Sequence, residues 1–273
     1  ATRMGLATAD IVLTEAGFGS DLGAEKFFNI KCRMSRLQPQ AAILVATVRA
    51  LKTHGGVKRS QLSAADPAAV ERGAANLRRH IQNVKKFGVP LIVVLNRFLE
   101  DTDGDVAAVR EGCSAENVPV LVCEVWEKGG EGGLEVAEAL VALLHEGKAS
   151  FRPLYDAALP IKQKIEVIAH EIYGADGVDY TTPAEREIGD LESFGLADTP
   201  ICVAKTQYSL SDKASLLGTP SGFRLKVQHL YPSAGAGFVV AVAGDILTMP
   251  GLPKSPAAER MRISPDGAIE GLF

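Results

Sequence analysis

Leu91-Ile92-Val93-Val94-Leu95 is five apolar residues in a row with no polar residue between them. A strand with one wet face alternates, whereas an unbroken run is what a parallel strand covered on both faces requires. The same texture occurs upstream in Ala42-Ile43-Leu44-Val45-Ala46-Thr47-Val48 and downstream in Val118-Pro119-Val120-Leu121-Val122-Cys123. Between the first two runs, Asp66-Pro67 supplies an N-cap followed by proline at the first helical position. Val70, Ala74, Leu77, Ile81 and Val84 then recur by fours and threes, Gly88 closes the helix, and Pro90 cannot continue it. Further helices are expected over 105–112 and through Leu134, Ala137, Val141 and Leu144 to Gly147. Covered strands alternating with helices predict right-handed βαβ units and a mostly parallel sheet, an α/β fold. Working outward, Ile11-Val12-Leu13 reads as one more short buried strand, with a helix over 22–31 behind it.

The texture changes after Ser150. Ile161, Ile165, Ile168 and Ile172 stripe a long helix ended by Gly174, and Ile188 with Leu191 marks a shorter one. Ile201-Cys202-Val203-Ala204 is a strand, and 223–230 with 237–242 resemble paired strands. The proline-rich run from Met249 to Pro256 must be irregular. These changes divide the chain into units at 1–88, 89–150 and 151–273.

A formal net charge of −4 gives no electrostatic reason to expect nucleic acid or an acidic membrane as partner. No apolar run is long enough to span a bilayer, and the first residues do not form a secretory signal. Cys32, Cys113, Cys123 and Cys202 form no CxxC pair and no zinc-ligand spacing, and the five histidines are scattered. We therefore expect a cytoplasmic protein with reduced cysteines and no metal site built from side chains alone. The chain opens without Met and reaches a buried strand almost at once, which leads us to expect one half of a larger protein.

Ligands of open α/β sheets bind beyond the carboxyl ends of the strands, so the residues following each strand are the candidates. Asn96-Arg97-Phe98 follows the central run. Glu124, Val125 and Trp126 follow the next, ahead of Lys128-Gly129-Gly130-Glu131-Gly132-Gly133. If those strands are parallel neighbours, Phe98 and Trp126 emerge on one rim. They are then either half-buried packing residues or the walls of a slot for a flat heterocycle. The glycine run beside Trp126 allows close backbone approach. Gly17-Phe18-Gly19 lies in a second glycine loop, Glu15 to Gly23, where backbone N–H groups at a helix start attract anions. Its GxGxxxG spacing misses the dinucleotide fingerprint, and Arg49-Ala50-Leu51-Lys52 offers no acidic residue to hold a ribose, which counts against NAD. Ser233-Ala234-Gly235-Ala236-Gly237 either wraps an anion or substrate, or is a tight turn between strands. No Walker A loop is present. Asp101, Asp103, Asp105, Glu185 and Glu187 read as solvated faces or caps.

Taken as an ordered set, several segments resemble the formate–tetrahydrofolate ligases. They are Thr14-Glu15-Ala16-Gly17-Phe18-Gly19 with Asp21 to Phe27, Val45 to Lys52, Asn96-Arg97-Phe98, and Trp126 with Lys128 to Gly133. Ala204-Lys205-Thr206-Gln207-Tyr208-Ser209-Leu210-Ser211-Asp212, Ser233 to Phe238, and Met249-Pro250-Gly251-Leu252-Pro253-Lys254 complete it. The resemblance implies later strands of a P-loop-type sheet followed by smaller α/β units. It implies MgATP as co-substrate, formate and tetrahydrofolate as substrates, and formyl phosphate as intermediate, and it admits a monovalent cation. It also implies that Phe98 and Trp126 hold flat rings, with Gly129 and Gly130 beside Trp126 at the nucleotide. Asn96 and Arg97 then floor the pocket, while Gly17, Phe18, Gly19, Ser233, Ala234 and Gly235 line the reaction centre. The family's P-loop is missing from these residues, so the resemblance implies an N-terminal half as partner, and a homo-oligomer when complete. Leu99 stands where a proline is expected, and Tyr231-Pro232 precede the Ser233 loop where other residues are expected. The rival reading is a module that holds folate or a nucleotide without turnover.

Overall fold

The computed structural model describes residues 1–244, 255–265, 267 and 269–271. The Met249–Lys254 segment lies outside the described residues. The chain is α/β. A first helix, α1 (Thr2–Thr8), leads to an extended segment and then to helical turns at Gly19–Ala24 and Phe27–Cys32, closed by α2 (Arg33–Ser35). Those two turns are π-wound, a geometry that recurs at functional sites.

The first sheet consists of β1 (Ala42–Ala46), β2 (Leu91–Asn96) and β3 (Val120–Cys123), all parallel, with β2 central. Helices α3 (Val48–His54) and α4 (Pro67–Lys85) lie between β1 and β2, and α5 (Asp103–Cys113) joins β2 to β3. The short α6 (Val125–Lys128) and α7 (Leu134–Glu146) follow. Asp66 caps α4 as expected, accepting the Ala69 N–H at 2.9 Å. Its Val70, Ala74, Leu77, Ile81 and Val84 are all buried. The unbroken run in β2 has its reason in two packings: Leu91, Val93 and Leu95 join the main core with the face of α4, while Ile92 and Val94 join Leu140 of α7.

Two expectations need correction. Ile11-Val12-Leu13 is not a strand: Ile11 and Leu13 are exposed, and no strand among the described residues pairs with them. An apolar triplet becomes a strand only where a sheet edge receives it. β1 is also shorter than its run and covered on one face only, with Ile43 38% and Val45 61% exposed. Thr47 leaves the strand to cap α3, and α7 packs over β2 and β3 rather than β1.

The second sheet contains β4 (Gly177–Tyr180), β5 (Ile201–Ala204), β6 (Arg224–Ser233) and β7 (Phe238–Ala243), in the order β4-β6-β7-β5. β6 and β7 form the expected pair, which is antiparallel, and β4 and β5 add in parallel. β4 was not foreseen, being four residues of mixed polarity. Helix α8 (Ile161–Ile168) runs into a π turn, Ala169–Tyr173, and buries its whole isoleucine stripe; α9 (Thr182–Ser193) packs on β6. A two-residue ladder, β8 (Arg262–Ile263) with β9 (Ile269–Glu270), follows. One apolar cluster holds Val93 of the first sheet, Ile165 of α8 and Val239 of the second sheet, so the two sheets share a core. No helix among the described residues is long and apolar enough to cross a membrane.

Candidate functional site

Parallel strands present their carboxyl ends on one rim, and here β2 and β3 end together, with Asn96 opposite Cys123. The Arg97 N–H donates to the Cys123 carbonyl at 3.0 Å. The Arg97 guanidinium lies 2.8 Å from Asp103 and 3.8 Å from Glu124. Phe98 is turned onto the rim by a tight loop in which its N–H donates to Asp101 Oδ2 at 2.9 Å. Burial raises the Asp101 carboxyl above its ordinary range, and that N–H partly offsets the rise. Glu124 is held below its ordinary value by the Lys128 ammonium at 2.6 Å.

Trp126 sits on α6, exposed to 59%. Its ring centroid is 6.4 Å from that of half-buried Phe98, with the planes 55° apart. The two rings therefore share one rim and touch as a tilted pair. A flat ring held between parallel faces needs about 7 Å, twice the carbon contact distance. The expected parallel gap is therefore not formed. The glycine run forms a 3₁₀ segment that folds back on the strand end. The Glu124 N–H donates to the Gly132 carbonyl at 3.0 Å, and a Cβ on Gly132 would lie 2.4 Å from the Glu124 carbonyl carbon. Gly132 thus serves the loop itself, whereas Gly129 and Gly130 are exposed with nothing within 4 Å of an added Cβ.

At the end of β1, beside Asn96, Arg49 pairs with Glu100 at 3.2 Å. A cleft of about 370 Å³ there is lined by Thr47, Arg49, Ala50, Thr53, Arg59 and Leu62.

The other candidate segments lie apart from the rings. Gly17 and Phe18 are exposed, Phe18 to 78%, while Ser20 and Asp21 are buried. A Cβ on Gly23 would come 1.7 Å from the Gly17 carbonyl oxygen, so the loop closes this tightly only with glycine there. Ser233, Ala234 and Gly235 form the tight turn between β6 and β7; the turn ends at Gly237, against Met34 of α2. No hydrogen bond or ring contact among the described residues joins the ring pair, the glycine loop and this turn.

Three polar features escaped the sequence reading. Lys205 Nζ lies 2.6 Å from Asp21, both buried. Ser20 Oγ lies 2.6 Å from His80 Nδ1. Lys52 lies 3.2 Å from Asp105, both again buried. Asp105 is a cap, as expected, but not a solvated one. The Thr102 to Asp105 spacing was a readable signal for the cap; nothing local pointed to Lys52. Asp103 is solvated and Asp101 half-buried.

No group of three or more His, Cys, Asp or Glu among the described residues is arranged to hold a metal. Among the described residues, no such ligand set fits the Mg²⁺ implied with ATP. The four cysteines are free, and burial pushes the Cys32 and Cys113 thiols up to about 11. A family model described as formate–tetrahydrofolate ligase matches residues 1–273.

Proposed function

The chain belongs to the formate–tetrahydrofolate ligase family, and from that premise we propose that it supplies the ring-binding wall for the ligation. The family joins formate to tetrahydrofolate with ATP, forming a carbon–nitrogen bond. In the proposed sequence a formate oxygen attacks the γ-phosphorus, ADP leaves, and formyl phosphate results. The N10 amine of tetrahydrofolate then attacks the formyl carbon, phosphate leaves, and the amine proton is lost. In this reading Phe98 and Trp126 hold the flat rings, Trp126 swinging from its tilted contact to admit one. Arg97 and Asn96 floor the pocket, and exposed Gly129 and Gly130 let a nucleotide approach the backbone. Gly17, Phe18, Gly19 and the Ser233–Gly235 turn line the reaction centre from other sides. The sequence has no Walker A loop, so the γ-phosphate cradle is assigned to an N-terminal half, and the complete enzyme to a cytoplasmic homo-oligomer.

The observation that supports this reading most is the contact of exposed Trp126 with half-buried Phe98 on the carboxyl rim of a parallel sheet. Trp126 is the single tryptophan, so its emission reports on the pair alone. Tetrahydrofolate is expected to quench it, after correction for absorbance. Phe98→Ala should weaken the apparent affinity by roughly 5- to 150-fold, the range set by one stacking contact. Emission that stays constant up to millimolar tetrahydrofolate would rule the ring wall out.

A further inference from the structure

Ser20 and Asp21 follow Gly17-Phe18-Gly19 directly. They are 2% and 5% exposed, while Phe18 is 78% exposed. Polar residues are buried at such a step only when their hydrogen bonds are met, and here they are met by distant elements. Asp21 Oδ2 accepts from Lys205 Nζ at 2.6 Å, just past the end of β5. The ammonium also donates to the Thr206 carbonyl at 3.2 Å and to the Ser209 carbonyl, and lies 4.9 Å from the centroid of the Tyr173 ring. All three Lys205 donors are therefore engaged. On the other side, Ser20 Oγ is 2.6 Å from His80 Nδ1 on α4, and the Ser20 N–H points at the same nitrogen from 3.4 Å. An N–H directed at Nδ1 makes that atom the acceptor, so the ring is neutral and the Ser20 hydroxyl donates to it. Asn83 Nδ2 reaches Ser20 Oγ at 3.3 Å and the Ile172 carbonyl at 3.1 Å.

The segment that carries Lys205 is tied to α3 and α4 at its far end too. The Gly218 N–H donates to His54 Nδ1 at 3.1 Å, and the Gly218 carbonyl accepts from Asn76 at 2.7 Å. Between these ends the Ser209 and Ser211 hydroxyls, 3.0 Å apart, bond the loop to itself.

We propose that Lys205 and His80 are positioning residues. Acting through Asp21 and Ser20, they hold the Gly17-Phe18-Gly19 backbone in one conformation and project Phe18 toward ligand. The ligand part rests on the reading of the glycine loop as part of the reaction centre. The Ala204–Asp212 motif, which the ring wall leaves unused, serves to hold this loop. In this role Lys205 and His80 act on the loop, through Asp21 and Ser20, rather than on substrate.

A buried ion pair that merely stabilises the fold would behave differently, and a double substitution separates the two. The 273-residue chain is compared with Asp21→Asn, Lys205→Met and the double variant carrying both. Amide hydrogen exchange is followed over 17–24, with 91–96 as internal reference. In the double variant no buried charge is left unpaired, so its thermal midpoint should return toward wild type from that of Lys205→Met. Exchange over 17–24 should nevertheless stay about tenfold faster than wild type in all three variants, while 91–96 is unchanged. Wild-type exchange over 17–24 in the double variant would overturn the proposal. So would acceleration that only tracks 91–96. Calorimetric titrations of the double variant with MgATP and with tetrahydrofolate should show at least one affinity reduced about tenfold. Wild-type affinity for both would remove the role in ligand binding. The exchange result needs no ligand. If tetrahydrofolate fails to quench Trp126 while exchange behaves as expected, the ring wall falls and the positioning of the loop stands.

Discussion

Lys164 is fully buried on α8, and its ammonium donates to the carbonyls of Ala157 at 3.0 Å, Thr199 at 2.8 Å and Ala197. Burial drives its pKa down to about 8, with Asp198 pulling the other way. Between pH 8 and 10.5 the unfolded chain keeps this proton and the folded chain releases it, so stability from this group rises with pH. Urea midpoints at pH 7.5 and 9.5 should therefore move upward in wild type relative to Lys164→Met; parallel shifts in both proteins would refute the assignment. Legibility at this scale depended on distance along the chain. Phe98 and Trp126 could be placed on one rim because each directly follows a strand that composition alone identifies. Asp21 and Lys205 are 184 residues apart, and neither carries a local sign of the other.

Among the elements, α5 depends most on one side chain. Thr102 and Asp105 form a reciprocal capping box, and the same Asp105 carboxylate neutralises buried Lys52. Asp105→Ala should cost about 3–5 kcal/mol, because it leaves an ammonium buried without its counter-charge. Asp103→Ala, on the exposed Arg97 pair, should change stability by less than about 1 kcal/mol. Chemical denaturation of both variants checks this, and equal losses would show that burial of the Lys52 pair is not what matters. Several helix ends were legible because their signals are local: Asp66-Pro67 opens α4, and Gly147 and Gly174 close α7 and the α8 turn, whereas Thr47-capped α3 was hidden behind the apolar run of β1. Strands were legible where an apolar run forced them, as in β2, or where apolar and polar residues alternate, as in β6. Ile11-Val12-Leu13 failed because a strand needs a partner that its own residues do not specify. The π winding over 19–24 and 27–32 was invisible, since no period in the sequence marks it.

At the scale of the whole molecule, β1 is the edge of its sheet and carries Ile43 and Val45 bare on one face. Ile11, Leu13 and Phe18 add exposed apolar surface earlier in the chain. Open edges with bare apolar faces pair with other chains. We predict that the isolated chain scatters light as an oligomer or aggregate and that Val45→Lys shifts it toward monomer. On the proposed reading, a separately made chain carrying the γ-phosphate cradle should cover the surface and bring formate-dependent ADP release. A soluble monomer, indifferent to both changes, would mean that this face needs no cover, and the non-catalytic binding module would become the better reading. The parallel sheet of an α/β fold was legible from Leu91–Leu95 and its neighbours, whereas the order β4-β6-β7-β5 was not, because strands that pair far along the chain leave no period to read.

The Asp21–Lys205 contact also sets a timetable. During synthesis at about 5–20 residues per second, Asp21 is made roughly 10–40 seconds before its partner, given their separation of 184 residues. Until then an uncompensated carboxylate cannot be buried, so the glycine loop must wait, solvated and open, while the sheet of β1, β2 and β3 has time to assemble without it. The loop belongs to the early part of the sequence and to the last stage of maturation. A nascent chain halted before residue 205 would carry a formed parallel sheet and an unformed Phe18 loop.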